Sequence, residues 1–359
     1  MASTLLYLLF VFSCCCFASA QTSGDTNVTE ITDDDGVTTV ATGVGQWTQT
    51  EGAAADWYML TTSTSGEYMY AIADKVIWIS NDFGNEWFQS NAPPLSYKEL
   101  ATNSSGQLVY ALYPSIDEES ASIYISTDFG ATWTPSYSLT PQGYYQSLTC
   151  SSSGEVIYVV GFSTDIYVSM DYGDTWRSPE STNVQDEGFF QVVTDSSGKN
   201  ATTVSGSGGG VFSTNDYGVS WFRQNFNTPS NQFTGVQMSS DGKVVMVVDI
   251  FVLGGIYLST NYGFDMRQLP NAPNITVSTI TASDDMQFVM TLNYQNDMST
   301  YFTGDGGESW NITEYSTHPN DGNEDESFFT IAAAGTGQLF VAGDYGGGLY
   351  LYQPACPTG

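Results

Sequence analysis

Six side chains carrying metal- or proton-handling oxygens recur through this 359-residue chain at near-constant intervals. They are Asp82, Asp128, Asp171, Asp216, Asn261 and Asp305, with spacings of 46, 43, 45, 45 and 44 residues. Each lies in one recurring octapeptide, Ser-x-Asp-x-Gly-x-x-Trp, called the box below. The first copy carries Asp82, Gly84 and Trp87, the second Asp128, Gly130 and Trp133, and the third Asp171, Gly173 and Trp176. With Thr in place of Ser come Asp216, Gly218 and Trp221, and then Asp305, Gly307 and Trp310. A worn copy runs from Ser259 to Met266. Five acids and one amide could mean six metal or catalytic sites. Chemistry, however, needs one constellation, whereas repetition in every period is what architecture needs. In a tight loop Asp accepts backbone N–H groups, and Ser or Thr adds a second local bond. Gly takes a φ that a Cβ would forbid, and Trp returns to pack against a neighbouring unit.

The other groups with chemical potential are sparse. Asp74, Asp165, Asp249 and Asp344 fall near loops where two carboxylates could face each other at glycosidase separation. His318 precedes Pro319 in an acidic stretch with no evident nucleophile, which leaves triad chemistry unsupported. Cys14, Cys15 and Cys16 stand in the N-terminal apolar run. Cys150 and Cys356 could form one disulfide or stay as two thiols, with no metal-type cluster. Arg177, Arg223 and Arg267 each follow a box. An anion patch is one reading and protection of exposed outer strands the other. Offsets of one and two residues from the Trp send Arg177 and Arg223 to opposite sides of a strand, which favours protection. The acidic loops Asp117-Glu118-Glu119 and 321–326 read as solvated surface. Ca²⁺ is the only cofactor they suggest, and the second lacks the Gly of an EF-hand. No cofactor is expected.

Apolar runs such as Ile123-Tyr124-Ile125 and Ile166-Tyr167-Val168 precede the boxes and read as strands. Between boxes lie tight turns at Ser65-Gly66, Ser105-Gly106, Ser153-Gly154, Ser197-Gly198, Asp241-Gly242 and Thr336-Gly337, with Asp284-Asp285 in the remaining repeat. That makes seven hairpins against six boxes. Gly348 to Tyr352 is the strand that should precede a seventh box, and Gly45 to Thr50, with Trp47, supplies the missing outer strand. The expected fold is all-β: a single seven-bladed β-propeller over residues 44–353, its last blade closed by N- and C-terminal strands. Such closure removes two free sheet edges.

The boxes resemble the Asp-box, or BNR, repeat. The chain is therefore similar to the Asp-box propellers: sialidases, xyloglucanases, the sortilin ectodomain and photosystem II assembly factors. In these families ligands use the face of the B–C and D–A connections, counting strands A to D outward from the axis. At the start of strand A an aromatic recurs, at Trp57, Tyr97, Tyr145, Phe190, Phe233 and Phe328. A collar that stacks on sugars or apolar peptide is one reading, inter-blade packing the plainer one. A sialidase implies an arginine cluster on the ligand face and a Phe-Arg-Ile-Pro segment, and neither is present. A xyloglucanase implies a cleft between two propellers, and this length allows one. Sortilin-type receptors have a longer ring, a Cys-rich module and a membrane span. The assembly factors match in length but use a basic patch to hold their partner.

The chain has 39 acidic and 7 basic residues, a formal charge of −32. Phosphate binding needs a basic face that these cannot build, so nucleic acid and anionic membranes are excluded as partners. Residues 1–20 read as a signal peptide: an apolar run ends at Ala18-Ser19-Ala20, too short for a comfortable span. Val11-Phe12-Ser13-Cys14 loosely resembles a lipobox. Both readings put the protein outside the cytosol. Residues 21–43 read as a flexible acidic tail and 354–359 as a C-terminal tail. Sequons stand at Asn27, Asn103, Asn200, Asn274 and Asn311 and require exposure if used. The expectation is a secreted, non-catalytic binding or scaffold propeller for an extracellular protein or polysaccharide. The enzymatic alternative is a glycoside hydrolase.

Overall fold

A computed structural model gives the structure over residues 30–32, 38–40, 45–50, 54–114, 122–139, 144–162, 166–180, 184, 188–206, 210–224, 228, 232–253, 255–293, 300–313, 328–344 and 347–354. Residues 1–20, Asn27, Asp117-Glu118-Glu119, Asp165, His318, 321–326 and Cys356 lie outside the described residues. The chain divides into two units, Met1–Thr42 and Gly43–Gly359. In the first, Glu30–Thr32 pairs antiparallel with Thr38–Val40. The aperiodic composition of residues 21–43 does not announce that pairing.

The second unit is a ring of seven antiparallel sheets. Strands A are Trp57–Thr62, Glu99–Thr102, Tyr144–Cys150, Phe189–Thr194, Phe233–Met238, Val277–Ala282 and Phe328–Ala333. Each touches the next around the circle, and the seventh touches the first. Strands B are buried at every position, as in Met69–Ala73 and Val245–Asp249, or at all but the last, as in Ile157–Phe162. Both faces of a blade are covered by its neighbours, so apolar residues run continuously instead of alternating. Successive clusters therefore join adjacent blades: Trp133 of the second blade packs with Tyr70, Ile72 and Ile79 of the first.

Blade 7 closes as the sequence predicts. Leu349–Gln353 pairs with Gln46–Gln49, Tyr352 opposite Trp47 and Tyr350 opposite Gln49. The Trp47 ring lies 4.8 Å from Phe328 and 5.2 Å from Tyr352. Its Nε1–H donates to Thr313 Oγ1 of blade 6 at 3.4 Å. One early N-terminal strand thus locks the last two blades together.

Two details differ from the expectation. Blade 3 has three strands, its outer one reduced to a bridge between Val168 and Arg177. Pro179 has no N–H with which to extend that ladder. In blade 6 the left-handed turn position belongs to Met286 (φ 58), one residue later than the Asp284-Asp285 alignment. Met286 is buried, and packing against Ile280 and Val289 holds a side chain where the other repeats use glycine.

Candidate functional site

The boxes are self-contained turns. In blade 2, Ser126 Oγ donates to Asp128 Oδ1 at 2.9 Å and accepts the Gly130 N–H at 2.8 Å. Asp128 Oδ1 accepts the Thr132 N–H at 2.8 Å, and Oδ2 the Thr132 hydroxyl at 2.6 Å. Trp133 Nε1–H donates to the Gly130 carbonyl at 2.9 Å. Asp171 makes the same bonds with Ser169 and Thr175, and Asp216 and Asp305 with Ser220 and Ser309. In the worn copy Asn261 accepts from Ser259 and from the Asp265 N–H. Bonds from the Thr132 hydroxyl and amide hold Asp128 below its usual range, and Thr175 does the same for Asp171. Gly130 has φ +82, and a Cβ there would come within 2.6 Å of Ile79 on blade 1. Each box is also tied inward: the Phe129 N–H donates to the Gln107 carbonyl at 3.0 Å and Tyr172 to Glu155 at 3.0 Å. A carboxylate engaged through both oxygens in its own loop has little to offer a metal or substrate. Among the described residues no group of three or more His, Cys, Asp or Glu could hold a metal ion.

The A strands surround an axial channel. Its mouth on the box face, about 170 Å³, is rimmed by main chain. The Thr64 N–H donates to the Ser104 carbonyl, Ser104 to Ser152, Ser152 to Ser196 and Ser196 to Ser240. Ser240 then donates to Asp284, Asp284 to Gly335, and Thr336 back to Thr64, at 2.7–3.3 Å throughout. This circle of seven bonds crosses every blade boundary, so the mouth is rigid. The Asp195 and Asp284 side chains line it.

Beyond the mouth the channel widens to about 270 Å³ beside Glu99, Leu148, Gln191, Thr279 and Thr330. Each A strand except that of blade 2 has a bulge near its start, after the first residue in blades 1 and 4–7 and between Tyr145 and Ser147, after the second, in blade 3. The side chain just past that point stitches one blade to the next. Glu99 Oε2 accepts the Leu148 N–H at 2.8 Å, Ser147 Oγ the Val192 N–H at 3.1 Å, and Gln191 Oε1 the Val236 N–H at 2.9 Å. Glu99 is the only acid of the three. Loss of solvation pushes its carboxyl up to about 8, against bonds from Ser147 and Leu148 and the charge of Lys98. Accessible area leaves Glu99 half-buried because it lines the cavity, but the protein atoms packed around the carboxylate deny it bulk solvation. No sequence pattern marks it.

Of the two readings of the strand-A aromatics, packing fits most of them. Trp57, Tyr97, Tyr145 and Phe233 are buried, and Trp57 Nε1–H donates to the Gly347 carbonyl at 3.2 Å. Phe328 is half-buried against Trp47 and Tyr350. Phe190 is out of register. The bulge between Phe189 and Gln191 makes Phe189 the buried counterpart of the other aromatics and turns Phe190 outward. Of the loop carboxylates, Asp249 and Asp344 are buried. Asp249 Oδ1 accepts the Phe251 N–H at 3.0 Å and shapes its own B–C loop; Asp74 is exposed. The arginines sit on outer strands, and Arg177 donates to the Tyr217 carbonyl of the next blade at 2.6 Å. Asn274 and Asn311 are exposed. Asn103 is buried, its Oδ1 accepting the Leu108 N–H, and the Asn200 amide donates to Asp195 Oδ2 at 2.6 Å. The Asn200 amide nitrogen is thus spent on its A–B turn, and Asn103 is too buried in its own turn to present a side chain to a glycan.

The face of the B–C and D–A connections holds an aromatic cluster instead of the collar. Tyr144 and Phe162 are cross-strand partners in blade 3, so their side chains share one side of the sheet. Phe162 meets Phe190 of blade 4 edge-on, 4.9 Å between centroids. Phe190 lies over Gly206, where a Cβ would come 2.0 Å from its ring. Tyr144 is 57% and Phe190 38% exposed, and Phe251 in the B–C loop of blade 5 is 69% exposed. Tyr144 and Phe190 are large rings left in water side by side on this face, which makes it the candidate contact surface.

No protein-family model matches the chain, and no curated protein matches it. Solved structures do. YCF48 from Cyanidioschyzon merolae matches with a TM-score of 0.62 at 15% identity, over 86% of this chain and 98% of that one. A structure of YCF48 bound to D1 peptide matches with a TM-score of 0.62 at 14% identity, over 88% and 96%. The GH74 xyloglucanase from Xanthomonas campestris matches with a TM-score of 0.67 at 14% identity, over 86% of this chain but 54% of the enzyme. The shared property is the propeller. This chain spans about half the length of the xyloglucanase.

Proposed function

We propose that this chain is a secreted, non-catalytic propeller of the Asp-box type. It binds an extracellular protein or glycan on the face of the B–C and D–A connections. The observation that carries this reading is the Tyr144–Phe162–Phe190 cluster, three aromatics from two blades, of which Tyr144 and Phe190 are exposed. The state of the carboxylates supports it. Box acids are engaged in their own turns, Asp249 shapes its loop, and Glu99 holds a proton over most of the neutral range. A glycosidase needs two carboxyls about 5 to 10 Å apart, one ionised and one protonated, reaching one bond. Secretion rests on the apolar run before Ala18-Ser19-Ala20, and the exposed sequons Asn274 and Asn311 suit such a protein. Polypeptide is a natural ligand class to test, since a similar propeller is described with a bound peptide.

The test is a panel of polysaccharides and extracellular proteins, screened with the mature chain for binding and for hydrolysis. Binding that the double variant Tyr144→Ala, Phe190→Ala loses, with no turnover, is the expected result. Hydrolysis of a sialoside or xyloglucan that disappears in Glu99→Gln or Asp249→Asn would overturn the non-catalytic reading. Ligand binding untouched by the double variant would overturn the assignment of the face.

A further inference from the structure

Six of the seven A strands place a residue that cannot ionise at the position Glu99 takes in blade 2: Met59, Ser147, Gln191, Gly235, Thr279 and Thr330. The architecture does not require an acid there. Gln191 accepts the next blade's N–H through an amide oxygen and Ser147 through a hydroxyl, and Gly235 brings no side chain at all. An amide in place of Glu99 would keep the bond to Leu148 without a carboxyl that loses solvation on folding. A costly ionisable group lining a cavity, where a neutral one serves the fold, marks a functional site.

The geometry points to a second site: the channel chamber binds a small alkylammonium ion, with Glu99 as its counter-ion. The chamber shares no residue with the aromatic cluster. Charge selects a cation. Among the described residues no Lys, Arg or His lines the mouth or the chamber, whereas Asp195 and Asp284 line the mouth and Glu99 the chamber. Lys98 precedes Glu99 in the chain but is exposed, and its charge is the least of the influences on that carboxyl. Such a field draws cations in and opposes anions. Bonding capacity selects an ammonium. A carboxylate has about four lone-pair sites, and the Leu148 N–H and the Ser147 hydroxyl fill two. An ammonium brings three N–H donors for Glu99 and for lining hydroxyls such as Thr149 and Thr279. Leu100, Leu148 and Ile280 are also in the wall and suit an alkyl tail. At about 270 Å³ the chamber falls short of a drug-sized pocket, which starts at about 300 Å³, so the tail is a few carbons. A bare metal ion fits poorly: hard cations take about six or more oxygens, and among the described residues no group of three or more His, Cys, Asp or Glu could hold one.

Binding is linked to a proton. Glu99 holds one at neutral pH, an ammonium favours the ionised form, and so the proton leaves as the ion enters. Affinity therefore rises with pH until the free carboxyl ionises near 8. The other titratable groups on the channel are Cys150, whose thiol burial pushes up to about 12, and the two mouth acids. Asp195 is bonded within its A–B turn by Ser197, Lys199 and Asn200, and Asp284 is raised by burial and by Asp285.

The experiment is calorimetric titration of the mature chain with n-butylammonium chloride at pH 6, 7 and 9, in two buffers of different ionisation enthalpy. Tetrabutylammonium has the charge but is too large and has no N–H, and n-butanol has the tail without the charge. Butylammonium should bind at least about tenfold more tightly than either, a gap of about 1.4 kcal/mol. It should release about one proton at pH 7 and gain about tenfold in affinity from pH 6 to pH 7. Glu99→Gln should lose at least about tenfold at pH 9, with no proton release, whereas Tyr144→Ala, Phe190→Ala should bind as the wild type does. The amide keeps the acceptor for Leu148, so the variant should fold; a melting curve checks this, and the wild-type proton count stands without it. Equal binding of tetrabutylammonium would reduce the effect to attraction by a polyanion, and equal binding of butanol to an apolar cavity. Proton release that persists in Glu99→Gln, or no binding of butylammonium at any pH, would also overturn the site, and none of these outcomes touches the aromatic face.

Discussion

Replacing Glu99 by Gln should change how stability depends on pH. Folded, the carboxyl is pushed up from 4.5 to about 8, first by loss of solvation. Between those values the folded chain keeps a proton that the unfolded chain has released, so stability falls as pH rises. The effect is complete above the folded value and absent below the unfolded one. At about 1.4 kcal/mol for each tenfold change in proton affinity, the ceiling is about 5 kcal/mol. Water in the channel relaxes part of this, leaving about 2–3 kcal/mol, or about 5 °C in melting temperature for a domain this size. Gln keeps an oxygen for the Leu148 N–H but cannot ionise. The assay is thermal unfolding of both proteins from pH 5 to pH 8.5 at one scan rate. Mutual repulsion among the other acidic residues affects both alike, so the difference curve isolates Glu99. The variant should gain on the wild type steadily as pH rises. Parallel curves would mean that Glu99 is well solvated and that its burial in the channel has no energetic consequence. Glu99→Leu adds a control: it cannot ionise either but removes the acceptor, so it should lie about 1–3 kcal/mol below Glu99→Gln at every pH.

Trp221 is fully buried and Trp133 half-buried, so Trp221→Ala should cost about 4–5 kcal/mol and Trp133→Ala about 2–3 kcal/mol in denaturant titrations; equal costs would refute the packing argument. Asp128→Ala loses the Thr132 and Ser126 bonds and should lower stability without changing ligand affinity at matched folded fraction. Because Asp128 and Asp171 are held below their usual range, their contribution is present above the unfolded value and fades as pH falls through the folded one; Asp128→Asn should flatten that acid limb. Removing residues 21–43 should leave melting nearly unchanged, whereas deletion through Thr50 strips Gln46–Gln49 from blade 7 and should lower it by about 10 °C or cause aggregation. Similar melting of the two truncated chains would contradict ring closure through Trp47.

The sequence alone carried the ring: six boxes in register, seven hairpins, a final strand without its box and an orphan Trp47 admit one closed arrangement. These are local periodic signals, each readable because every blade solves the same packing problem with the same residues. Registers within a strand were less legible. Phe189 and Phe190 are adjacent phenylalanines, and only the bulge before Gln191 decides which is core and which faces solvent. The sequon at Asn103 looks like any other until its burial in the A–B turn is seen. Glu99 stands in an ordinary stretch of strand, and its altered chemistry comes from six other strands converging on one axis. The Tyr144–Phe162–Phe190 corner joins two blades across nearly fifty residues of chain. Burial, solvation and inter-blade contact depend on what folding brings near, and pattern along the chain reports only what each residue brings with it.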